Sequence, residues 1–110
     1  SRFDMRSGVR VGDNFYDHDF TDLPRDSDGL AHTYLTAPDG RGFDIWQDEN
    51  FKHVVIFTPD FYFANLGDAK RFACAIEPQT SGPNSFNSGQ DLIWLKQGQE
   101  FSATWGVNFN

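Results

Sequence analysis

The run Phe72-Ala73-Cys74-Ala75-Ile76 alternates small and apolar side chains and then meets an acid, Glu77, followed by Pro78, Gln79 and Thr80. With a period of two, Phe72, Cys74 and Ile76 share one strand face, and Ala73, Ala75 and Glu77 share the other. Two alanines leave room for a ligand to lie over the sheet in front of the carboxylate. An acid on such a floor is suited to general-base work near neutral pH. On spacing alone, a strand-end carboxylate facing water fits as well. The residues that follow favour the ligand reading, because Gln79, Thr80, Asn84 and Asn87 can hydrogen-bond a polyhydroxylated molecule.

Other chemistry-bearing residues carry weaker signals. Asp26-Ser27-Asp28-Gly29 resembles part of a calcium loop, but the register puts Pro24 at the first ligand position and Leu35 at the twelfth. A solvated turn explains these acids. His18, His32 and His53 have no metal-ligand spacing with one another or with Cys74. His32 and His53 fall in strand patterns, where surface or satisfied positions are expected. His18 sits in the unusually polar Tyr16-Asp17-His18-Asp19-Phe20. Cys74, the single cysteine, cannot form an internal disulfide and reads as a buried, inert thiol.

The elements that must position these residues are mostly strands, and no segment holds a helical period for three turns. Leu30 to Thr36 and Gly42 to Gln47 flank Ala37-Pro38-Asp39-Gly40-Arg41, whose turn chemistry predicts a hairpin. Further strands are predicted at Asn14 to Leu23, Phe51 to Thr58, Phe72 to Glu77, Leu92 to Leu95 and Glu100 to Phe109. The result is an all-β chain of roughly seven or eight mostly antiparallel strands in a sandwich. Its tryptophans, Trp46, Trp94 and Trp105, are expected to be buried or to line a groove.

Composition narrows the partners. A chain of 110 residues with 38% hydrophobic and 23% charged residues is a single globular domain with a modest core. The net charge of -7 argues against nucleic acid and against anionic membrane surfaces. No apolar run reaches the length of a membrane span and no signal-peptide pattern occurs, so a cytoplasmic location is expected.

Taken in order, Ala75-Ile76-Glu77-Pro78-Gln79-Thr80, Pro83-Asn84-Ser85-Phe86-Asn87-Ser88-Gly89, Asp91-Leu92, Leu95-Lys96-Gln97-Gly98-Gln99 and Ser102-Ala103-Thr104-Trp105-Gly106-Val107 resemble the carboxy-terminal end of aldose 1-epimerases, the galactose mutarotase-like family. Upstream, Phe3-Asp4-Met5-Arg6 and Tyr16-Asp17-His18-Asp19-Phe20 resemble the family's approach to a sugar-binding aspartate. The resemblance runs over nearly the whole chain and is tightest from Phe72 to Val107. It implies a galactose mutarotase-like β-sandwich, with Glu77 as catalytic base and Asp17 as the aspartate that binds sugar hydroxyls. Gln79 and Asn84 are the further candidates for substrate binding.

Family members are longer and take a histidine general acid and other ligands from their first half. None of the three histidines here occupies that motif. The resemblance therefore implies the carboxy-terminal part of a larger β-sandwich protein, holding half a site and inactive alone. Its expected partners are a galactose- or glucose-like monosaccharide and the rest of the parent protein or a second copy, with neither metal nor cofactor. Phe20, Phe57 or Trp46 would stack on the sugar. Two other functions fit: a hexose-6-phosphate 1-epimerase, for which Arg6, Arg10 and Arg25 are the nearby cations, and a non-catalytic carbohydrate-binding sandwich.

Overall fold

The fold is taken from a computed structural model that describes residues 5–12, 15–59 and 73–109. It is all-β and sandwich-like: two antiparallel three-stranded sheets and a single one-turn helix among the described residues. The strands are β1 (Asp17–Phe20), β2 (Ala31–Thr36), β3 (Gly42–Gln47), β4 (His53–Phe57), β5 (Ala75–Gln79) and β6 (Trp105–Phe109), with helix α1 at Ser85–Ser88 between β5 and β6. One sheet has the order β1-β4-β5 and the other β2-β3-β6.

The β2–β3 hairpin forms as its turn residues dictate. Ala31 lies opposite Gln47 and Thr36 opposite Gly42. Gly40 takes the left-handed conformation, φ 89°, that Pro38-Asp39-Gly40 supplies. Its amide donates to the Ala37 carbonyl at 2.9 Å, and the Asp39 carboxylate accepts from the Arg41 amide at 3.0 Å.

In the β1-β4-β5 sheet the alternation separates a core face from a polar one. Tyr16, Val54 and Ile56 are buried, and Met5, Phe20, Leu23, Cys74 and Ile76 pack against them. Cys74, expected to be buried, is only partly so, and that burial pushes its thiol above the usual range. The connection from β3 to β4 is tied down by two polar side chains. Gln47, 1% exposed, donates through Nε2 to the carbonyls of Phe51 (3.0 Å) and His53 (2.9 Å). The Arg25 guanidinium reaches the carbonyls of Gly29, Gln47, Asp48 and Phe51 at 2.8–3.4 Å. These donors satisfy carbonyls of a half-exposed turn.

Several sequence expectations are corrected. Six strands are present among the described residues, against the seven or eight expected of the whole chain. The strand expected to stop at Glu77 continues to Gln79, with Pro78 opposite Val54, so pairing does not end at the proline. Proline is tolerated because β5 is an edge strand among the described residues. Phe72 lies outside those residues. Leu92 to Leu95 is irregular, since no neighbouring strand offers it a ladder, and Asp91 before it has φ 57°. Trp94 and Trp105 are 81% and 53% exposed, not buried.

Candidate functional site

Cross-strand partners share a face, so the registers of β1, β4 and β5 define what the polar face carries. Asp17 lies opposite Phe57, which lies opposite Ala75; Asp19 lies opposite Val55, which lies opposite Glu77. His53 lies opposite Gln79. Asp17 and Glu77 are therefore on one face, on the two outer strands, with a diagonal offset. Strand spacing and rise put their backbones on the order of 12 Å apart. Phe57 occupies the same face between Asp17 and Ala75.

Each residue singled out by sequence has a defined setting. Glu77 is half-buried, and its Oε2 accepts from Gln79 Nε2 at 3.0 Å. Gln79 thus holds the carboxylate in place. Asp17 is exposed, and its backbone amide donates to His18 Nδ1 at 3.0 Å. Asn84 is exposed in the left-handed conformation ahead of α1, with its Oδ1 accepting from Asn87 Nδ2 at 2.7 Å. Its amide is thus engaged on its own loop, not on Glu77. Of the three aromatic candidates, Phe20 packs on the core side and Trp46 covers Gly106 in the other sheet. Only Phe57 shares the face with the two acids. Arg25 is committed to backbone carbonyls.

The structure also assembles a group that sequence spacing did not reveal. His53, 4% exposed, has Nδ1 2.9 and 3.1 Å from the two Asp19 carboxylate oxygens and Nε2 2.7 Å from Asp91 Oδ2. Lys52 Nζ lies 3.7 Å from Asp91 Oδ1. Burial alone would lower the pKa of His53, but its bonds to Asp91 and Asp19, with their charges, hold it above the ordinary value. The His53 bond in turn lowers that of Asp91. Asp19 could have been suspected from its two-residue spacing to Asp17. Asp91 had no local signal, being 38 residues from His53.

A cavity of about 210 Å³ lies beside this group, lined by Asp19, Thr21, His53, Gly82, Pro83, Ser85, Ser88 and Gln90. Its walls carry three hydroxyls, a carboxylate, an imidazole and an amide beside Gly82 and Pro83, a set that offers several hydrogen-bonding groups. Among the described residues no group of three or more His, Cys, Asp or Glu side chains could hold a metal ion, and no helix is long and apolar enough to cross a membrane. Comparison with protein-family models, curated proteins and solved structures gave no match.

Proposed function

We propose that this chain carries the catalytic base and one sugar-holding carboxylate of a cytoplasmic aldose 1-epimerase, which interconverts the α and β anomers of a hexose. The observation that carries the reading is the common face of Asp17 and Glu77, flanking the β4 row with Phe57 between them. A hexose lying on that face meets a carboxylate at each side and an aromatic ring beneath, the combination that carbohydrate recognition uses.

The chemistry needs one base and one acid. Glu77 takes the proton from the anomeric hydroxyl while an acid protonates the ring oxygen, and the ring opens to the aldehyde. Rotation about the bond beside the carbonyl, followed by closure with the protons returned, gives the other anomer. Gln79 keeps the Glu77 carboxylate aimed by donating to Oε2, leaving Oε1 for the substrate. Asp17 orients the sugar through charge-assisted hydrogen bonds and moves no proton. The acid comes from the remainder of the parent protein. The commitment of Arg25 to four carbonyls supports a free sugar over a 6-phosphate.

The test is polarimetric, following α-glucose and α-galactose above the spontaneous rate with variants in the full-length protein. Glu77→Gln keeps shape and hydrogen bonding but cannot accept the proton, so turnover falls by about 10²–10⁴-fold while sugar binding persists. Asp17→Asn weakens binding and turnover together. Near wild-type rates in Glu77→Gln would make Glu77 a surface carboxylate and end the proposal. Binding without any acceleration in the wild type would leave a carbohydrate-binding module.

A further inference from the structure

We propose that Asp19, His53 and Asp91 form a proton-held latch: the segment 80–91 docks on the β1-β4-β5 sheet when the buried imidazole carries a proton on both nitrogens, and loosens when it carries one. The geometry gives the reason. Both ring nitrogens face carboxylate oxygens, Nδ1 at 2.9 Å from Asp19 and Nε2 at 2.7 Å from Asp91. A neutral imidazole has a single N–H and can donate to one of them only; its other nitrogen then turns a lone pair on an anion. Both contacts are favourable only in the imidazolium, which 4% exposure keeps away from competing water.

The three residues lie on three pieces of chain. Asp19 is in β1, His53 opens β4, and Asp91 closes the segment that leaves β5. A second point of that segment also rests on the imidazole. A side chain added at Gly82 would lie 2.8 Å from Asp19 Oδ2 and 3.2 Å from His53 Cε1, so the Gly82 backbone comes down over the ring. The charged groups facing the imidazole are Asp19 and Asp91, with Lys52 against the far oxygen of Asp91; Gln79 lies opposite His53 on β5, and Glu77 is the next acid on that face.

The two pKa directions define a window. That of His53 is raised from 6.5, so the latch is complete below 6.5 and is lost as pH rises through the raised value. That of Asp91 is lowered from 3.8, so its part is present above 3.8 and is lost as pH falls through the lowered value. The segment is held between those limits and released beyond either. Gln79, which donates to Glu77, faces His53 through the β4–β5 ladder and not through the imidazole, so the latch acts on segment 80–91 and leaves the proposed base in place.

The test needs no sugar, so its failure is separable from failure of the proposed activity. In the full chain, ring-nitrogen NMR should find both His53 nitrogens protonated at pH 6, with a deprotonation midpoint above 6.5. Across that midpoint, protection against hydrogen exchange at the amides of Asn87, Ser88, Gly89 and Leu92 should fall about 10- to 100-fold, the range for losing a buried hydrogen bond to a charged group. The amides of Val54 and Ile56 should keep theirs. Asp91→Asn should lower the His53 midpoint and loosen the same amides already at pH 6. If that variant does not fold, the wild-type pH series decides. A single protonated ring nitrogen at pH 6, or segment protection unchanged across the His53 midpoint, would overturn the latch.

Discussion

Two imidazoles in this chain each sit between two aspartates, and residue chemistry makes them different devices. His32 bridges Asp26 (Nε2 to Oδ2, 2.7 Å) and Asp44 (Nδ1 to Oδ2, 2.8 Å), joining the 26–30 turn to the hairpin. The Asp26 bond raises its pKa above 6.5 against an opposing effect of burial, with Asp44 adding to the rise. Stability from this bridge is therefore full between pH 3.8 and 6.5, declining as pH rises through the raised His32 value and as it falls through the lowered Asp26 value. We expect the thermal midpoint of the wild type to fall as pH rises through the raised His32 value and His32→Gln to flatten its contribution; an unchanged pH profile in His32→Gln would refute the bridge. Glu77 stood out through the period-two pattern of its strand, whereas Asp17 was singled out only through the family resemblance, and the register now puts both on one face. The bridging role of His53 was not, because its carboxylates lie 34 and 38 residues away and come together only through the fold.

At the scale of elements, most of the architecture follows from local chemistry. Pro38-Asp39-Gly40 fixes the hairpin, and the β-branched run before Pro59 gives β4. What sequence could not supply was the neighbour of each strand. Leu92 to Leu95 has strand composition but no ladder, while Pro78 belongs to a strand because the edge position forgives its missing N–H. Within the second sheet, Gly106 of β6 lies beneath the Trp46 indole of β3, and any Cβ there would collide with the ring. We expect Gly106→Val to destabilise the chain by about 1–3 kcal/mol, the usual cost of overpacking. Chemical denaturation measures it, with Asn108→Val, the adjacent residue on the same face of β6, as control. Equal stabilities for the two variants would mean that the indole swings aside at no cost.

The whole molecule buries few apolar residues: Tyr16, Ala31, Ile45, Val54 and Ile56 among those described. By contrast, Trp105, Val107 and Phe109 of β6 lie exposed on one strand face, with Phe109 against Phe43 in an edge contact at 6.2 Å. Such a face favours association with another apolar surface. We expect sedimentation of the chain to show association that Trp105→Glu/Phe109→Glu abolishes while the β-sheet circular dichroism persists; a monodisperse wild-type monomer would count against it. The outer rim of β5, in the other sheet, bears on how chains could associate. Pro78 presents no N–H along the outer rim of β5, so an incoming strand would leave one of its carbonyls unanswered there. Among the described residues that rim therefore disfavours strand-by-strand growth from β5, while leaving contacts through side chains open. Replacing the proline, Pro78→Val, should raise thioflavin-positive, strand-wise association above that of the wild type, and an unchanged thioflavin signal would refute this barrier.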